Sequence, residues 1–392
     1  MSDEASRSAG AVAVAGFLAL AAALGIGRFV YTPILPFMVE AIGLSKSEAG
    51  LIASANFLGY LVGALGAASS FSLRARKVWL LAGLALSAFS TAAMGATTSV
   101  MAYLVLRFLG GLASAYVLVF SSTLILNRIA AAGRPGLSGL HFAGVGSGIA
   151  LSAIVVAGLA AYGHDWRMLW VVSGLIALAA VAAVAWLIPD ESREAAVARA
   201  AGRIAIAPKL AALILAYGLF GFGYVITATF ISTLVRTSPD IRWLEPAIWA
   251  VVGLAAAPSV AFWTPMGRRL GNARALAVAC LLEAGGVALT VLWTTAAGVV
   301  IGAILLGGTL MGITALGLVH ARALSGGDPQ RVLALITAAF GLGQIVGPTF
   351  AGILVDVSGG FTAPTLAAAA ALLAAAFFGL KAETKNVPPR LG

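Results

Sequence analysis

The chain has 392 residues; 61% of them are hydrophobic, 10% are charged, and the mean hydropathy is +1.03. This composition excludes a water-soluble domain, which needs far more polar surface at this length. The formal net charge of +10 could indicate a nucleic-acid-binding protein. However, apolar runs of about 20 residues, long enough to cross a bilayer as helices, recur along the whole sequence. They predict a polytopic helical membrane protein.

We predict twelve membrane spans. In chain order they cover residues 11–38, 47–69, 78–97, 100–126, 137–162, 168–188, 210–235, 246–266, 275–294, 298–319, 332–355 and 361–380. The longest linker, 189–209, separates the sixth span from the seventh. We therefore expect an N-terminal six-helix bundle at 1–188 and a C-terminal six-helix bundle at 210–392. The first run is far longer than the apolar core of a signal peptide, about 7 to 15 residues, so no cleavable signal is expected.

Basic residues are distributed unequally between the two predicted membrane faces. Eighteen of the 24 Lys and Arg residues fall on the side of the termini, and four fall on the opposite side. Such a bias orients a membrane protein with its basic loops in the cytoplasm. We expect a multi-pass protein of the bacterial inner membrane with both termini cytoplasmic. The net charge is thus a topology signal, and no nucleic-acid partner is expected.

The sequence contains an internal repeat. GIGRFVYTPIL (25–35) aligns with GFGYVITATFI (221–231) at an offset of 196 residues. GGLASA aligns with GGTLMG, and AGVGSGIA with FGLGQIVG, both at an offset of 197. Three separated pairs that agree to within one residue indicate a six-span unit used twice.

Several segments resemble motifs of the major facilitator superfamily. They are RFLGGLASA (107–115), DWRMLW (165–170) and FGLGQIVGPTFAGILVD (340–356). GIGRFVYTPILP, from Gly25, resembles the first span of the YbfB/YjiJ branch. The resemblance implies an all-α membrane protein of twelve transmembrane helices, built as two six-helix bundles related by a pseudo-two-fold axis. It also implies secondary active transport by alternating access at a site between the bundles.

Two basic loops and the fifth span depart from the superfamily's patterns. The loops SFSLRARKVWL (70–80) and PMGRRLGNARAL (265–276) are basic but lack the usual Asp. Positive-inside anchoring is therefore predicted for them, but a charge relay is not. The fifth span, AGVGSGIALSA (143–153), has no proline where drug/proton antiporters carry a Gly-Pro motif. This disfavours a multidrug antiporter.

Two arginines lie inside predicted spans, Arg28 in the first and Arg107 in the fourth. A charge at the bilayer centre costs about 2.5 to 3.5 kcal/mol on insertion scales, so each arginine must face protein or a water-filled cavity. The resemblance places both spans along the cavity, where two guanidinium groups could bind one carboxylate, sulfonate or phosphate. For Arg107 we favour the alternative that it ties helices together through backbone carbonyls. For Arg28, which has no acidic residue near it in its own helix, we favour ligand contact.

Residues near Arg28 are expected to extend the site. Tyr31 follows at i+3, on the same helical face. Pro33 and Pro36 are expected to kink the helix and to free backbone carbonyls one turn before each of them. Such carbonyls beside a cavity can bind water or substrate.

The internal repeat adds candidates from the second half of the chain. Tyr224 occupies the repeat position of Arg28, and Thr227 occupies that of Tyr31. Two further polar side chains lie in otherwise apolar spans, where helix packing is at least as strong an explanation as ligand binding. The predicted substrate-binding residues are Arg28, Tyr31, Arg107, Tyr224, Thr227, Gln344 and Asn56.

Few residues are candidates for carrying a proton. Glu283 is the one carboxylate well inside a predicted span, the ninth, and His141 lies near the cytoplasmic end of the fifth. We take both as proton-coupling candidates, although a histidine at a helix end is more typical of a helix interface. The sequence contains no metal-ligand spacing, phosphate loop or nucleophile constellation. We therefore predict no metal, no cofactor and no enzymatic activity.

The leading hypothesis is a secondary transporter of a small organic anion, because a cavity with two arginines and no carboxylate attracts anions. A coupled proton would then travel with the anion in symport, or transport would be anion exchange. The alternative is an exporter of amphipathic drugs or lipids. An alternative of another class is a transport-inactive sensor or assembly partner, which the short loops disfavour. The expected partners are an anionic small molecule, protons and membrane lipids, and a monomer is expected.

Overall fold

The computed structural model describes residues 3–67, 75–188, 207–325 and 329–383. The α-helices are α1 (Asp3–Leu20), α2 (Tyr31–Ile42), α3 (Lys46–Ala67), α4 (Arg76–Ala93), α5 (Val100–Ala131), α6 (Ser138–Ala161), α7 (Trp166–Leu187), α8 (Pro208–Thr237), α9 (Glu245–Ala256), α10 (Ser259–Leu270), α11 (Asn272–Leu292), α12 (Ala296–Ala323), α13 (Pro329–Ser358) and α14 (Thr362–Lys381). Residues 189–206 of the predicted linker and residues 70–74 of the first basic loop lie outside the described residues.

The helices form twelve membrane spans, as predicted. The first span runs from Ala9 to Ile42 and contains α1, a π-helical segment (Ala21–Ile26), a turn and α2. The eighth span is the pair α9 and α10, which is bent by 42° at a short break. The other ten spans are single helices, α3–α8 and α11–α14, each long and apolar enough to cross a membrane.

Polar side chains fix the points at which helices begin. The spacing of Ser45 and Glu48 predicts a capping box before α3, and the two residues form it. The amide of Ser45 donates to the Glu48 carboxylate at 2.9 Å, and the amide of Glu48 donates to the Ser45 hydroxyl at 3.1 Å. At the start of α7, the Asp165 carboxylate accepts a hydrogen bond from the amide of Met168 at 3.1 Å. These caps satisfy amides that the first helical turn leaves unpaired.

The two repeats pack their helices through glycines in the same way. A Cβ atom at Gly25 would lie 2.5 Å from the Cα of Gly148 in α6. In the second half, a Cβ at Gly343 in α13 would lie 2.1 Å from the carbonyl oxygen of Gly218 in α8. Small residues are therefore required where these backbones approach each other. The bundle formed by α1–α7 meets the bundle formed by α8–α14 mainly through three helix pairs, α2 with α8, α3 with α13, and α6 with α9.

The first span is interrupted beside Arg28 by a turn at residues 27–30. The turn includes Phe29, one turn before Pro33, where the sequence predicts a kink, and α2 then continues as helix through Pro36. The Phe29 carbonyl is not free, however, because it accepts a hydrogen bond from the Thr32 amide at 3.2 Å. The carbonyls of Gly27 and Arg28 instead accept hydrogen bonds from Arg107. A charged side chain from α5 thus stabilises the break.

Ionic contacts join the bundles on the far face, which is the membrane face opposite the chain ends. At the end of α8, Arg236 holds Glu40 of α2, with Nε donating at 2.7 Å and Nη2 at 2.6 Å to the two carboxylate oxygens. At the end of α13, Asp356 accepts from the backbone amides of Lys46 and Ser47 at 3.1 and 2.8 Å. A residue of one bundle thus caps a helix of the other. Together these contacts close the far face in this conformation.

Arg236→Gln is expected to favour opening of the far face, because it removes the paired hydrogen bonds to Glu40. The Glu40 side chain is half exposed, so we expect the closed far face to lose about 1 kcal/mol of stabilisation. The population of the open conformation should then rise roughly fivefold. Maleimide labelling of Ser232→Cys, a buried position on α8, measures this opening in a Cys280→Ala background. Arg242→Gln is the matched control, since Arg242 is exposed and lies 3.6 Å from Glu40. Equal labelling of the two variants would contradict the assignment.

Candidate functional site

Arg28 lies in the turn between the π-helical segment and α2, with only 5% of its surface exposed. Its guanidinium carbon lies 4.4 Å from the ring centre of Tyr60 and 4.5 Å from that of Phe57, both on α3. Aromatic faces stabilise a buried cation. No carboxylate of the described residues forms an ion pair with Arg28. Its Nε and Nη2 atoms have no hydrogen-bond partner, so this charged edge is free to bind a ligand.

Arg107 is also buried, but it uses its terminal donors within the protein. Nη1 donates to the carbonyl of Gly27 at 3.0 Å, and Nη2 donates to that of Arg28 at 2.8 Å. Its own carbonyl accepts a hydrogen bond from the Asn56 side-chain amide at 2.9 Å. This geometry favours the helix-tying alternative for Arg107 and a packing role for Asn56. Arg107 holds the turn that presents Arg28, and only its Nε remains for a ligand.

The Tyr31 hydroxyl is not beside the free edge of Arg28. It donates to the carbonyl of Ala49 in α3 at 2.9 Å. Thr32 donates to the carbonyl of Ala228 in the opposite bundle at 2.7 Å. Both Arg28 and Tyr31 contact α3, but the Tyr31 hydroxyl donates its proton within the protein and not to a ligand.

The second bundle contributes a phenol and an amide. Gln344 Nε2 donates to the phenol oxygen of Tyr224, so the phenol proton remains available for another acceptor. Gln344 Oε1 has no partner. The ring of Tyr224 stacks on that of Phe340, with ring centres 5.7 Å apart and planes at 8°. Thr227, one turn further along α8, is buried and its hydroxyl is unpartnered.

These groups approach each other across the interface between the bundles. Tyr224 lies within electrostatic range of both Arg28 and Tyr60. The central cluster consists of Arg28, Phe57, Tyr60, Tyr224, Phe340 and Gln344. Arg28 is 5% exposed, Tyr224 2% and Gln344 0%. A ligand can reach this cluster only when the bundles move apart.

The two predicted proton-coupling candidates occupy different places. His141 packs against Gly16 of α1, and its Nε2 lies 3.3 Å from the Ser122 hydroxyl. At 1.5 Å per residue, Gly16 is roughly 18 Å along the first span from Arg28. Glu283 is fully buried on α11, which packs against α8, the helix that carries Tyr224. Among the described residues, no group of three or more His, Cys, Asp or Glu side chains could hold a metal ion.

Sequence reasoning missed the aromatic members of the central cluster, Phe57, Tyr60 and Phe340. In an apolar span, spacing alone does not distinguish an aromatic ring that lines a site from one that faces lipid or packs in the core. Two signals were nevertheless present. Tyr60 lies at i+4 from Asn56, and Phe340 at i−4 from Gln344, so each aromatic ring shares a helical face with a buried polar side chain.

Two six-helix bundles with polar side chains buried at their interface are the arrangement in which membrane transporters hold a substrate between repeats. Solved transporters share the fold. The nucleoside transporter NupG has a TM-score of 0.72 and 16% identity, covering 96% of this chain and 98% of that chain. The D-xylose-proton symporter has a TM-score of 0.72 and 15% identity, covering 95% and 97%. At these identities the likeness concerns the fold alone.

The sequence comparisons identify the family. The family described as "Uncharacterised MFS-type transporter YbfB" matches residues 20–380. A gallate transporter from Pseudomonas putida is 29% identical over 266 residues, which cover 64% of this chain and 58% of that relative's length. The chain belongs to the YbfB family of the major facilitator superfamily. The matching family and relatives are transporters, and the described helices make this chain a multi-pass membrane protein.

Proposed function

We propose that the protein transports a small organic anion and that Arg28 binds the anionic group. The observation that carries this proposal is the buried guanidinium whose Nε and Nη2 atoms have no partner. These two nitrogens lie on one edge of the guanidinium, and their two N–H groups match the two oxygens of a carboxylate. Of the seven predicted site residues, Arg28, Tyr224 and Gln344 lie in the central cluster and have groups there that can bind this ligand.

The rings of the central cluster favour an aromatic carboxylate. Phe57 and Tyr60 lie against the guanidinium, and Phe340 extends the aromatic surface into the other bundle. A ligand ring can stack on such faces. The Tyr224 phenol can donate to ring hydroxyls, and Gln344 Oε1 can accept from them. Gallate, the substrate named for the Pseudomonas putida relative, has this combination of carboxylate, ring and hydroxyl groups.

Transport proceeds in this proposal by alternating access, as the two bundles rock about the central cluster. The ionic contacts of the far face close one side, and the substrate exchanges with water on the other. The protein acts as a monomer in the bacterial inner membrane, with both termini cytoplasmic and with domain boundaries at 1–188 and 210–392. The anion moves with a proton in symport or in exchange for another anion.

Uptake of labelled gallate into proteoliposomes tests this function. We expect saturable uptake that unlabelled benzoate inhibits and that benzamide, its neutral counterpart, does not. Benzamide lacks the charge that a free guanidinium edge selects. Inhibition by benzoate and benzamide alike, or uptake of lipophilic cations only, would contradict the proposed anion specificity.

A lateral groove supports the alternative that amphipathic compounds are exported. The groove has a volume of about 420 Å³ and lies between α3 and α5 of one bundle and α13 of the other. Its lining includes Leu58, Phe108 and Ile345, and its polar residues, Ser54 and Thr349, hydrogen-bond to each other at 2.8 Å. If this groove carried the cargo, lipophilic compounds would inhibit gallate uptake. Substitution of Phe108, and not of Arg28, would then weaken that inhibition.

A further inference from the structure

Glu283 on α11 is a buried carboxyl group that the proposed anion site does not use. Its exposure is 0%, and neither carboxyl oxygen has a hydrogen-bond partner of normal geometry. The Thr309 hydroxyl of α12 adjoins it. However, that hydroxyl donates its only proton within its own helix, to the carbonyls of Leu305 at 2.7 Å and Leu306 at 3.3 Å.

This environment suits a neutral carboxylic acid. An ionised carboxylate that is removed from water without a partner is strongly disfavoured. Because the Thr309 hydroxyl already donates its proton within α12, its oxygen can only accept a hydrogen bond from Glu283. A protonated carboxyl can donate to that acceptor, whereas a carboxylate cannot. The geometry therefore fits Glu283 with its proton bound.

Glu283 is linked to the anion site through Tyr224. Glu283 on α11 and Tyr224 on α8 lie on helices that pack against each other, and the Tyr224 phenol is near enough to Glu283 and to Arg28 to interact with both electrostatically. The same phenol is hydrogen-bonded to Gln344. A change of charge at Glu283 thus acts on Tyr224, which lies in the central cluster together with Arg28.

The surroundings of Glu283 hold no other charge in the described residues. On its own helix Cys280 is buried nearby and faces Tyr217 of α8. The basic side chains of α11 and of the helices packed against it lie near helix ends, whereas Glu283 lies in the middle of α11. They are Lys209 and Arg236 on α8, Arg268 and Arg269 on α10, Arg274 on α11, His320 and Arg322 on α12, and Lys381 on α14. No basic partner therefore holds the carboxylate ionised in this conformation.

We infer that Glu283 is the proton-binding site that couples the proton gradient to the substrate bound at Arg28. This inference rests on the proposed anion transport and selects symport rather than anion exchange. In each cycle a proton from water on one side adds to a Glu283 oxygen and forms an O–H bond. In the opposite conformation that bond breaks and the proton leaves to water on the other side, so that one anion and one proton cross together.

Glu283→Gln tests the inference, because glutamine imitates the protonated carboxyl and cannot release a proton. In proteoliposomes we expect gallate counterflow at no less than about half of the wild-type rate. Accumulation of gallate driven by a pH gradient should fall at least about tenfold. Cys280→Ala, one turn away on the same helix, is the control and should keep both activities. Gradient-driven accumulation by Glu283→Gln at the wild-type level would overturn the inference.

Infrared spectroscopy gives a readout that does not depend on transport. The wild-type protein at neutral pH should show the C=O stretching band of a protonated carboxyl, and Glu283→Gln should lack it. An unchanged spectrum would overturn the inference even if gallate is transported. If the wild type transports no gallate, the proposed function fails on its own, and the loss or persistence of this band still decides whether Glu283 carries a proton.

Discussion

Arg28→Gln is expected to reduce kcat/KM for gallate uptake about 100-fold without lowering thermal stability. Two hydrogen bonds from a charged donor to a carboxylate are worth about 3 kcal/mol together, and each 1.4 kcal/mol corresponds to a factor of ten. Stability should be unchanged or higher, because the substitution removes a buried charge that has no ionic partner in the described residues. Uptake assays and thermal unfolding of the same purified samples measure the two effects separately.

Arg28→Lys is the informative control for this prediction. Lysine keeps the positive charge but loses the two parallel N–H groups of the guanidinium edge. We expect its uptake to lie between those of the wild type and Arg28→Gln. If Arg28→Gln unfolded at a much lower temperature and lost uptake only in proportion to the folded fraction, Arg28 would be a structural residue and the site assignment would fail.

Arg107→Gln is expected to have the opposite profile, with a large loss of stability. The substitution leaves the carbonyls of Gly27 and Arg28 without their donors, which at 1 to 3 kcal/mol for each buried group amounts to about 3 kcal/mol. The turn that presents Arg28 would loosen, so uptake should fall as a consequence. Thermal unfolding of the purified variant, with and without gallate, measures the effect.

Arg28→Gln is the matched control for Arg107→Gln, since both remove a buried guanidinium from the same region. If Arg107 holds the turn, only the Arg107 variant should unfold at a lower temperature. Equal stability of the two variants would show that the hydrogen bonds of Arg107 to the turn do not stabilise it. A variant of Arg107 that kept its stability but lost gallate binding would instead support direct ligand contact.

The sequence alone predicted the parts of the fold that depend on local pattern. The apolar runs predicted twelve spans, and Ser45 with Glu48 predicted the capping box before α3, because both depend on residues close together in the chain. The internal repeat predicted a six-span unit used twice, and the glycine packing of Gly25 in the first half and Gly343 in the second is equivalent. The charge of Arg28 was also visible in the sequence, since no other charged residue interrupts the first run.

The parts that were wrong or missed depend on contacts between distant helices. The proline spacing predicted the wrong free carbonyls, because it carries no information about the carbonyls that Arg107 holds from another span. Tyr31 was expected to extend the ligand site, but its hydroxyl donates to α3 within the protein. Tyr60 and Phe340 were missed because a ring in an apolar span shows its role only when the opposite bundle is in place.

The most direct test of the central claim is a calorimetric comparison of gallate with its neutral amide, in the wild type and in Arg28→Gln. If Arg28 binds the carboxylate, the wild type should bind gallate about 100-fold more tightly than the amide, which corresponds to about 3 kcal/mol. Arg28→Gln should bind both ligands equally weakly. Discrimination between the two ligands that persists in Arg28→Gln would contradict the account, because another group would then recognise the anion.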